Sequence, residues 1–533
     1  MTARGDAPAG PAVEPRGAPS RGRSSAAVGA AVALAVVVLA GALRLWRVRE
    51  SYELFIDEVT YAEISRTVAL GQGVLLYGEP FFLHPPALFG TLALAMTWIG
   101  IDADIAAQVV ALRPVPAAIG ALTPGLVALL VHRVTRSTAA AAAVGVLLAL
   151  EPFLIRFDSR VLLEAQAMAA AAAGFLVLHI VVERERRGRS AVVAAVAAGL
   201  LLLVSLLTKE TYAFVGVLPV AGLLVAGTPV RRGTSGLVLG TALAGYAAYV
   251  LALVFAGQAG EWFAQKTRGV SRLLGLTQIT GFNQEGGVGL VERVLANLAS
   301  FAVTYAVIGL GLLALAWLVL RLRRDDVPHD VRPGVVLLVA WSAGATAHLA
   351  YAVTLGTLEE QMFYLLVVTA VPLVATAGVL LVRPGEPAAR HRSGRRSPAL
   401  GRRLGAALVA ALVIAVGVDA VVWWRVHTVP DDAYGRFLAW ATVELPQGST
   451  LAVTDETTQF VLREVRVGRW ETGAELRDND VEYVLLVSEL VRQGYSDVDE
   501  EFLRIAEQGP VVFRSEGRSL GVITVRDIRG ATG

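Results

Sequence analysis

"HPPALFGTLALAMTWIG", His84 to Gly100, decides how the rest of the chain is threaded. Its apolar part, Pro86 to Ile99, runs for about fourteen residues. A helix needs about twenty apolar residues to cross a bilayer core of roughly 30 Å. If Pro86 to Ile99 crossed, His132, Arg133 and Arg136 would lie outside, and every later basic loop would be misplaced. If it lies along the outer interface, the charges fall into order. His132 to Arg136, Glu183 to Arg189, Arg231-Arg232, Arg321 to Arg324 and Arg383 to Arg403 then share the cytoplasmic side, as the Lys/Arg bias of membrane proteins requires. The charge order therefore predicts a juxtamembrane helix here, not a span.

Working outward, the chain has 533 residues, of which 55% are hydrophobic. Long apolar runs recur from Ala26 to Trp424. We read spans at 26–46, 109–131, 138–155, 161–182, 190–207, 211–227, 235–256, 298–320, 333–353, 362–382 and 404–424, about eleven in all. The first 25 residues, rich in Ala, Pro, Gly and Arg, read as a disordered basic cytoplasmic tail. After Val429 the character changes. "GSTLAVTDET", "VEYVLLVSE", "GPVVFRS" and "LGVITVRD" read as strands between turn residues. "DDAYGRFLAWATVEL" and "SDVDEEFLRIAEQG" have helical spacing. The fold class is a polytopic α-helical membrane protein with outer juxtamembrane helices and a small C-terminal extracytoplasmic α/β domain. The expected divisions are 1–25, 26–429 and 430–533. The expected location is the cell membrane, with the N-terminus cytoplasmic.

The chain contains no cysteine, which excludes disulfides, thiolate catalysis and Cys-based zinc sites. No P-loop, Gly-rich dinucleotide fingerprint or His-x-x-x-His pair occurs, so cytosolic nucleotide chemistry is unsupported, and nothing points to nucleic acid. Asp102-Ala-Asp104 and Asp478-Asn-Asp480 match a three-residue Asp-x-Asp pattern that carries little weight alone.

On the expected topology the outer face collects the polar residues that could do chemistry. Asp57 and Glu58 stand side by side in "SYELFIDEVTYAEISRTVALGQG", Ser51 to Gly73. Neighbours on a helix point about 100° apart, so one can face a cavity while the other caps or pairs. In "LIRFDSRVLLEAQAM", Arg160 and Glu164 are four apart and can pair on one helix face. Glu164 also lies a turn into an apolar span, where an ionisable group is costly. Lys209 and Glu210 interrupt apolar sequence on both sides in "LLVSLLTKETYAF", and a lipid phosphate is the natural anion for Lys209. Glu359, Glu360 and Gln361 open another outer turn.

These segments, in this order, resemble the multi-spanning glycosyltransferases that use a polyprenyl-phosphate sugar. This is the GT-C class of the protein O-mannosyltransferases and the aminoarabinose transferases of lipid A. The likeness is carried by "DEVTYAEISRTVALGQG", "HPPALFGTLALAMTWIG", "ALRPVPAAIGALTPGLVALLVHRVTR", "EPFLIRFDSRVLLEAQAMAAAAAGFLVL" and "LLTKETYAF", with a weaker echo at "LEEQMFYLLVVTAVPL". The resemblance implies a GT-C-like fold and transfer of a hexosyl or pentosyl group from a polyprenyl-phosphate carrier at the outer face. The acceptor is a protein, a lipid or a cell-wall glycan. Asp57 would be the base that activates it. Glu58, Tyr61, His84, Arg160, Glu164, Lys209 and Glu360 would bind substrates. His84 stands where the family often has another basic residue, and Glu164 where it often has Asp. Lys209 and Arg160 can stabilise a leaving phosphate without a metal. The partners are the lipid-linked donor, that acceptor and membrane lipids. No cofactor or metal ligand is assigned, and metal dependence is left open. The chief alternative is a transporter or flippase of lipid-linked sugars. It would call for inverted repeats and broken helices at mid-membrane, and no internal repeat stands out.

Overall fold

The computed structural model describes residues 21–183, 188–227, 230–277, 289–382, 398–496 and 498–531. The expected basic tail up to residue 20 and most of the basic stretch 383–403 lie outside them. Helix α1 (Arg21–Leu45) leads through a short loop into α2 (Ile56–Ala69). A two-stranded hairpin, β1 (Leu75–Leu76) and β2 (Glu79–Pro80), connects α2 to α3 (Ala87–Ile99). Helix α3 is 13 residues long, about 20 Å at 1.5 Å per residue. That is short of the bilayer core. It packs against α2 and leaves Trp98 87% exposed.

The bundle continues with α4 (Ile105–Leu112), α5 (Pro114–Gly120) and α6 (Leu122–Thr135), which together make one long apolar rod. Arg136 takes a left-handed conformation at the end of α6, and Ser137 caps α7 (Thr138–Leu150) by accepting from the Ala140 amide. The result is a tight reversal. Helix α1 packs closely on α6 and α7: a Cβ at Gly125 would meet Val37 at 2.4 Å, and one at Gly145 would meet Val36 at 2.4 Å. Small residues allow this approach in membranes.

Helix α7 bends by 59° into α8 (Pro152–Asp158). An irregular stretch then leads to α9 (Glu164–Glu183) and α10 (Arg189–Thr208). Next come a 3-10 turn (Glu210–Phe214), α11 (Val217–Ala226), α12 (Arg232–Phe255), α13 (Ala259–Leu273), α14 (Leu290–Arg323), α15 (Arg332–Thr354), α16 (Met362–Val382) and α17 (Pro398–Thr428). Among the described residues nine helices are long and apolar enough to cross a membrane, or ten if α7 and α8 count as one bent span. The run expected at 211–227 becomes the 3-10 turn and a helix of 10 residues, about 15 Å long.

From α1 to α10 successive spans alternate in direction. The ends of α6 and α9 therefore meet, where Arg133 and Arg136 both pair with Glu183 at 2.9 and 2.5 Å. The opposite end carries α2, α3, the 3-10 turn and α13.

Beyond α17 the chain forms α18 (Ala433–Glu444), β3 (Thr450–Val453), α19 (Thr458–Val461), β4 (Arg466–Gly468), α20 (Gly473–Asp478), β5 (Tyr483–Val487), α21 (Ser488–Arg492), α22 (Glu500–Gln508), β6 (Val511–Gly517) and β7 (Gly521–Asp527). The strands order as β4-β3-β5-β7-β6. The β3–β4 and β3–β5 pairs are parallel, and the pairs involving β7 are antiparallel. The sheet has its own apolar core, with Phe437, Leu451, Leu485 and Val525 on one face and Val484, Phe502 and Ile505 on the other.

This small α/β domain is bolted to the loop that precedes α2. The Asp431 amide donates to the Glu50 carbonyl at 2.9 Å, and Arg518 donates to the Ser51 carbonyl at 2.6 Å. The Tyr434 amide donates to Glu53 at 3.1 Å. Tyr77 of the hairpin stacks on Phe460, with centroids 5.3 Å apart.

Candidate active site

Helix α2 begins at Ile56, and its N-cap residue, Phe55, offers no side-chain acceptor. Asp57 and Glu58 both fall in the first turn, where the helix dipole favours acids. They then diverge. Glu58 turns inward and is fully buried. Arg113, at the α4–α5 junction, grips it with a two-pronged fork: Nε to Oε1 at 2.9 Å and Nη2 to Oε2 at 2.8 Å. The same guanidinium donates to the carbonyls of Tyr52 at 2.7 Å and Glu53 at 3.0 Å. Glu58 also accepts from the Val161 amide at 3.0 Å. One buried ion pair thus ties the loop before α2, α2 itself and the linker before α9 to a single point. Arg113 is not among the residues expected from the sequence, yet a charge inside the apolar run "ALRPVPA" was a signal for it.

Asp57 points the other way and is half-buried. Among the described residues its carboxylate has no hydrogen bond or ion pair. Burial pushes the carboxyl from 3.8 up to about 6; Lys209 opposes the rise, while Glu164 and Glu359 add to it.

The expected pairing of Arg160 with Glu164 does not form. Glu164 is the first residue of α9, and Arg160 lies in the irregular linker ahead of it, so the two never share a helix face. Glu164 instead accepts from Lys209 Nζ at 2.6 Å, and both are buried. Lys209, read as a cation awaiting a lipid phosphate, therefore already has a carboxylate partner.

Arg160 is also buried. Its guanidinium lies 5.3 Å from the Tyr52 ring centroid and 5.7 Å from that of Phe55. Its Nε has no hydrogen-bond partner, and no carboxylate pairs with it among the described residues. Burial, with Arg156 and Arg113 nearby, pulls its pKa down to about 10, and Glu58 opposes the fall.

His84 sits edge-on to Tyr61 at 5.8 Å. Burial holds its pKa well below 6.5, and Lys209, Lys266 and Arg272 push the same way. The uncharged imidazole is therefore the favoured form. Tyr61 is buried between His84 and Phe89. Glu360 pairs with Arg156 at 2.7 Å, and its neighbour Glu359 reaches Arg272 at 3.4 Å. Lys266 of α13 pairs with Glu210, which also accepts from the Tyr246 hydroxyl at 3.0 Å. Lys266 and Arg272 were not expected from the sequence, since nothing local separates them from other charges of a polar loop. Among the described residues no group of three His, Asp or Glu side chains could hold a metal ion.

Asp57, Tyr61, His84, Glu164 and Lys209 thus gather at one end of the bundle, with Glu359 and Arg272 close enough to influence Asp57. Arg160 and Glu58 stand at the N-terminal side of α2, and Glu360 stands with Arg156.

Residues 34–257 match the family model described as dolichyl-phosphate-mannose-protein mannosyltransferase. No curated protein sequence matches the chain. Solved structures share the fold, among them two with bound molecules. One is the oligosaccharyltransferase AglB of Archaeoglobus fulgidus, in complex with an inhibitory peptide and a dolichol-phosphate. It is 12% identical, with a TM-score of 0.57, over 94% of this chain and 74% of that one. The other is ArnT of Cupriavidus metallidurans bound to undecaprenyl phosphate. It is 16% identical, with a TM-score of 0.51, over 97% of this chain and 100% of that one. Identity this low speaks to fold alone. The chain thus shares the fold of these membrane transferases, and the segment that matches the mannosyltransferase model, residues 34–257, is the one that carries Asp57.

Proposed function

We propose that this protein transfers a hexosyl or pentosyl group from a polyprenyl-phosphate carrier to an acceptor hydroxyl at the outer face of the membrane, with Asp57 as general base. The observation that carries the reading is the Asp57 carboxylate itself: unpartnered, half-buried and raised to about 6 among fixed charges. A base is most useful when its pKa lies near the working pH.

The acceptor oxygen attacks the anomeric carbon, and its proton passes to Asp57. The bond from that carbon to the phosphate oxygen breaks, and the phosphate leaves with one more negative charge than it carried as a diester. A cation held in place beforehand stabilises that charge. Arg160 is our candidate, because it is buried without a carboxylate partner. The Lys209–Glu164 pair sets the field around Asp57, and the Arg113–Glu58 pair holds α2 so that Asp57 faces the site. Tyr61 and neutral His84 line the same region, and Glu360 stands apart with Arg156.

The reading includes the division of the chain at residues 25 and 429, with the N-terminus cytoplasmic and the α/β domain outside. The charge order of the loops supports that sidedness. The test compares glycolipids and glycoproteins from a deletion strain with those from an Asp57→Ala strain. We expect the same product to be missing from both. A full product profile in the Asp57→Ala strain would refute the role of Asp57.

A further inference from the structure

Helix α13 divides into three sectors at about 100° per residue. Gln265, Lys266, Gly269 and Leu273 are partly covered and face the protein. Gln265 accepts from the Phe82 amide at 2.7 Å and donates to the Pro80 carbonyl at 2.7 Å. Lys266 donates to the Leu83 carbonyl at 3.0 Å, and a Cβ at Gly269 would meet Leu83 at 3.0 Å. At its far end the Leu273 carbonyl accepts from the Thr357 amide at 3.2 Å and from the Tyr351 hydroxyl at 3.1 Å. The helix is therefore held to the strap that carries His84 and to the loop that carries Glu359.

The other two sectors are open, and they differ in chemistry. Phe263, Val270 and Leu274 are 67%, 54% and 39% exposed and project within about 40° of one another. Glu261 and Arg268 are also exposed and project about 120–160° away from that sector. A helix docked only on protein has no use for an exposed apolar sector. A helix at the edge of a bilayer does, with one open side in the acyl boundary and the other in water. The apolar sector also continues an existing lipid-facing surface. Span α12 ends at Phe255, 87% exposed, and α13 starts four residues later, after a turn at Gly257 with φ +73°.

We propose that α13 rests in the headgroup layer of the bilayer, with Phe263, Val270 and Leu274 inserted among lipids and Arg268 in water. The occupant of the apolar sector is membrane lipid, not a protein partner. This holds whichever reaction the neighbouring site performs.

The chain contains no cysteine, so single reporters can be placed without removing any. Phe263→Cys, Val270→Cys and Arg268→Cys, each spin-labelled, are compared in phosphatidylcholine nanodiscs, with Leu34→Cys on α1 as the lipid-facing control. Collision with oxygen, which concentrates in lipid, is measured against collision with a water-soluble nickel chelate. Labels at 263 and 270 should resemble the control, favouring oxygen, while the label at 268 favours nickel. Nickel access at 263 and 270 equal to that at 268 would overturn the proposal, since the sector would then face water. Shielding of 263 and 270 from both reagents would also overturn it, since a protein surface would then cover them.

Discussion

If Asp57 is the base, the rate must follow its ionisation. With a pKa of about 6, roughly 9% of Asp57 is ionised at pH 5 and roughly 91% at pH 7. kcat/KM should therefore rise about tenfold between those values and level off above pH 7. An ordinary aspartate at 3.8 would already be about 94% ionised at pH 5, and the profile would be flat there. The neighbours supply an internal check. Lys209→Ala removes the cation that favours the carboxylate and frees the charge of Glu164, so the rising limb should move to higher pH. Glu164→Gln removes an anion and frees Lys209, so the limb should move to lower pH. Asp57→Asn should lower the rate by roughly 10²–10⁴-fold and remove the limb. The assay is release of polyprenyl phosphate from a defined lipid-phosphate sugar in proteoliposomes, scanned from about pH 4.5 to about pH 9. A limb that persists in Asp57→Asn, or that moves the same way in Lys209→Ala and Glu164→Gln, would show that another group is being titrated.

Three other outcomes follow from single contacts. Glu58→Gln leaves Arg113 charged and buried, a loss of about 3–5 kcal/mol; thermal unfolding in detergent should show it, with part recovered in Glu58→Gln/Arg113→Met. Arg160→Ala strands no carboxylate and should cost stability only through its lost contacts with the Tyr52 and Phe55 rings, about 0.5–2 kcal/mol. Losing a charge-assisted contact of about 1.5–3 kcal/mol to phosphate should raise the KM for donor by about 10- to 150-fold; an unmoved KM would free Arg160 of that role. Burial beside Asp431 raises Glu53 from 4.5 to about 7. Folding therefore disfavours the Glu53 carboxylate, and stability at this joint falls as pH rises from about 4.5 to about 7. Glu53→Gln should then stabilise the joint by at most ~3 kcal/mol above pH 7 and by little near pH 5. Thermal melts at both pH values check the difference.

Much of the fold was legible because bilayer physics writes it into composition. A span needs length and apolarity, and loop charge orders the spans. His84 to Gly100 shows how far that reaches. Its shortness alone left two threadings, and basic residues up to 300 positions away in sequence chose between them. The run at 211–227 shows the limit. Apolar content matched a span, but the content of a window does not record where the helix breaks, and the chain turns at Phe214 before α11 begins.

The site was legible by residue type, less so by partnership. A buried charge announces itself in sequence, because an ionisable side chain in an apolar run is too costly to keep without a use. That marked Glu164 and Lys209, and it would have marked Arg113. What an ionisable residue faces is set by where helices begin. Arg160 and Glu164 have the spacing of a helical pair, yet α9 starts at Glu164, so the spacing has no geometric meaning. Lys209 and Glu164 are 45 positions apart. They meet only because α9 and α10 are consecutive antiparallel helices whose ends face the same end of the bundle. The pairing redistributes the expected roles. A lysine neutralised by a buried carboxylate attracts a phosphate weakly but still shapes the ionisation of a nearby acid. A buried guanidinium without a carboxylate keeps its whole attraction for an incoming anion. On that ground we propose that the phosphate meets Arg160 and that the Lys209–Glu164 pair tunes the proton on Asp57.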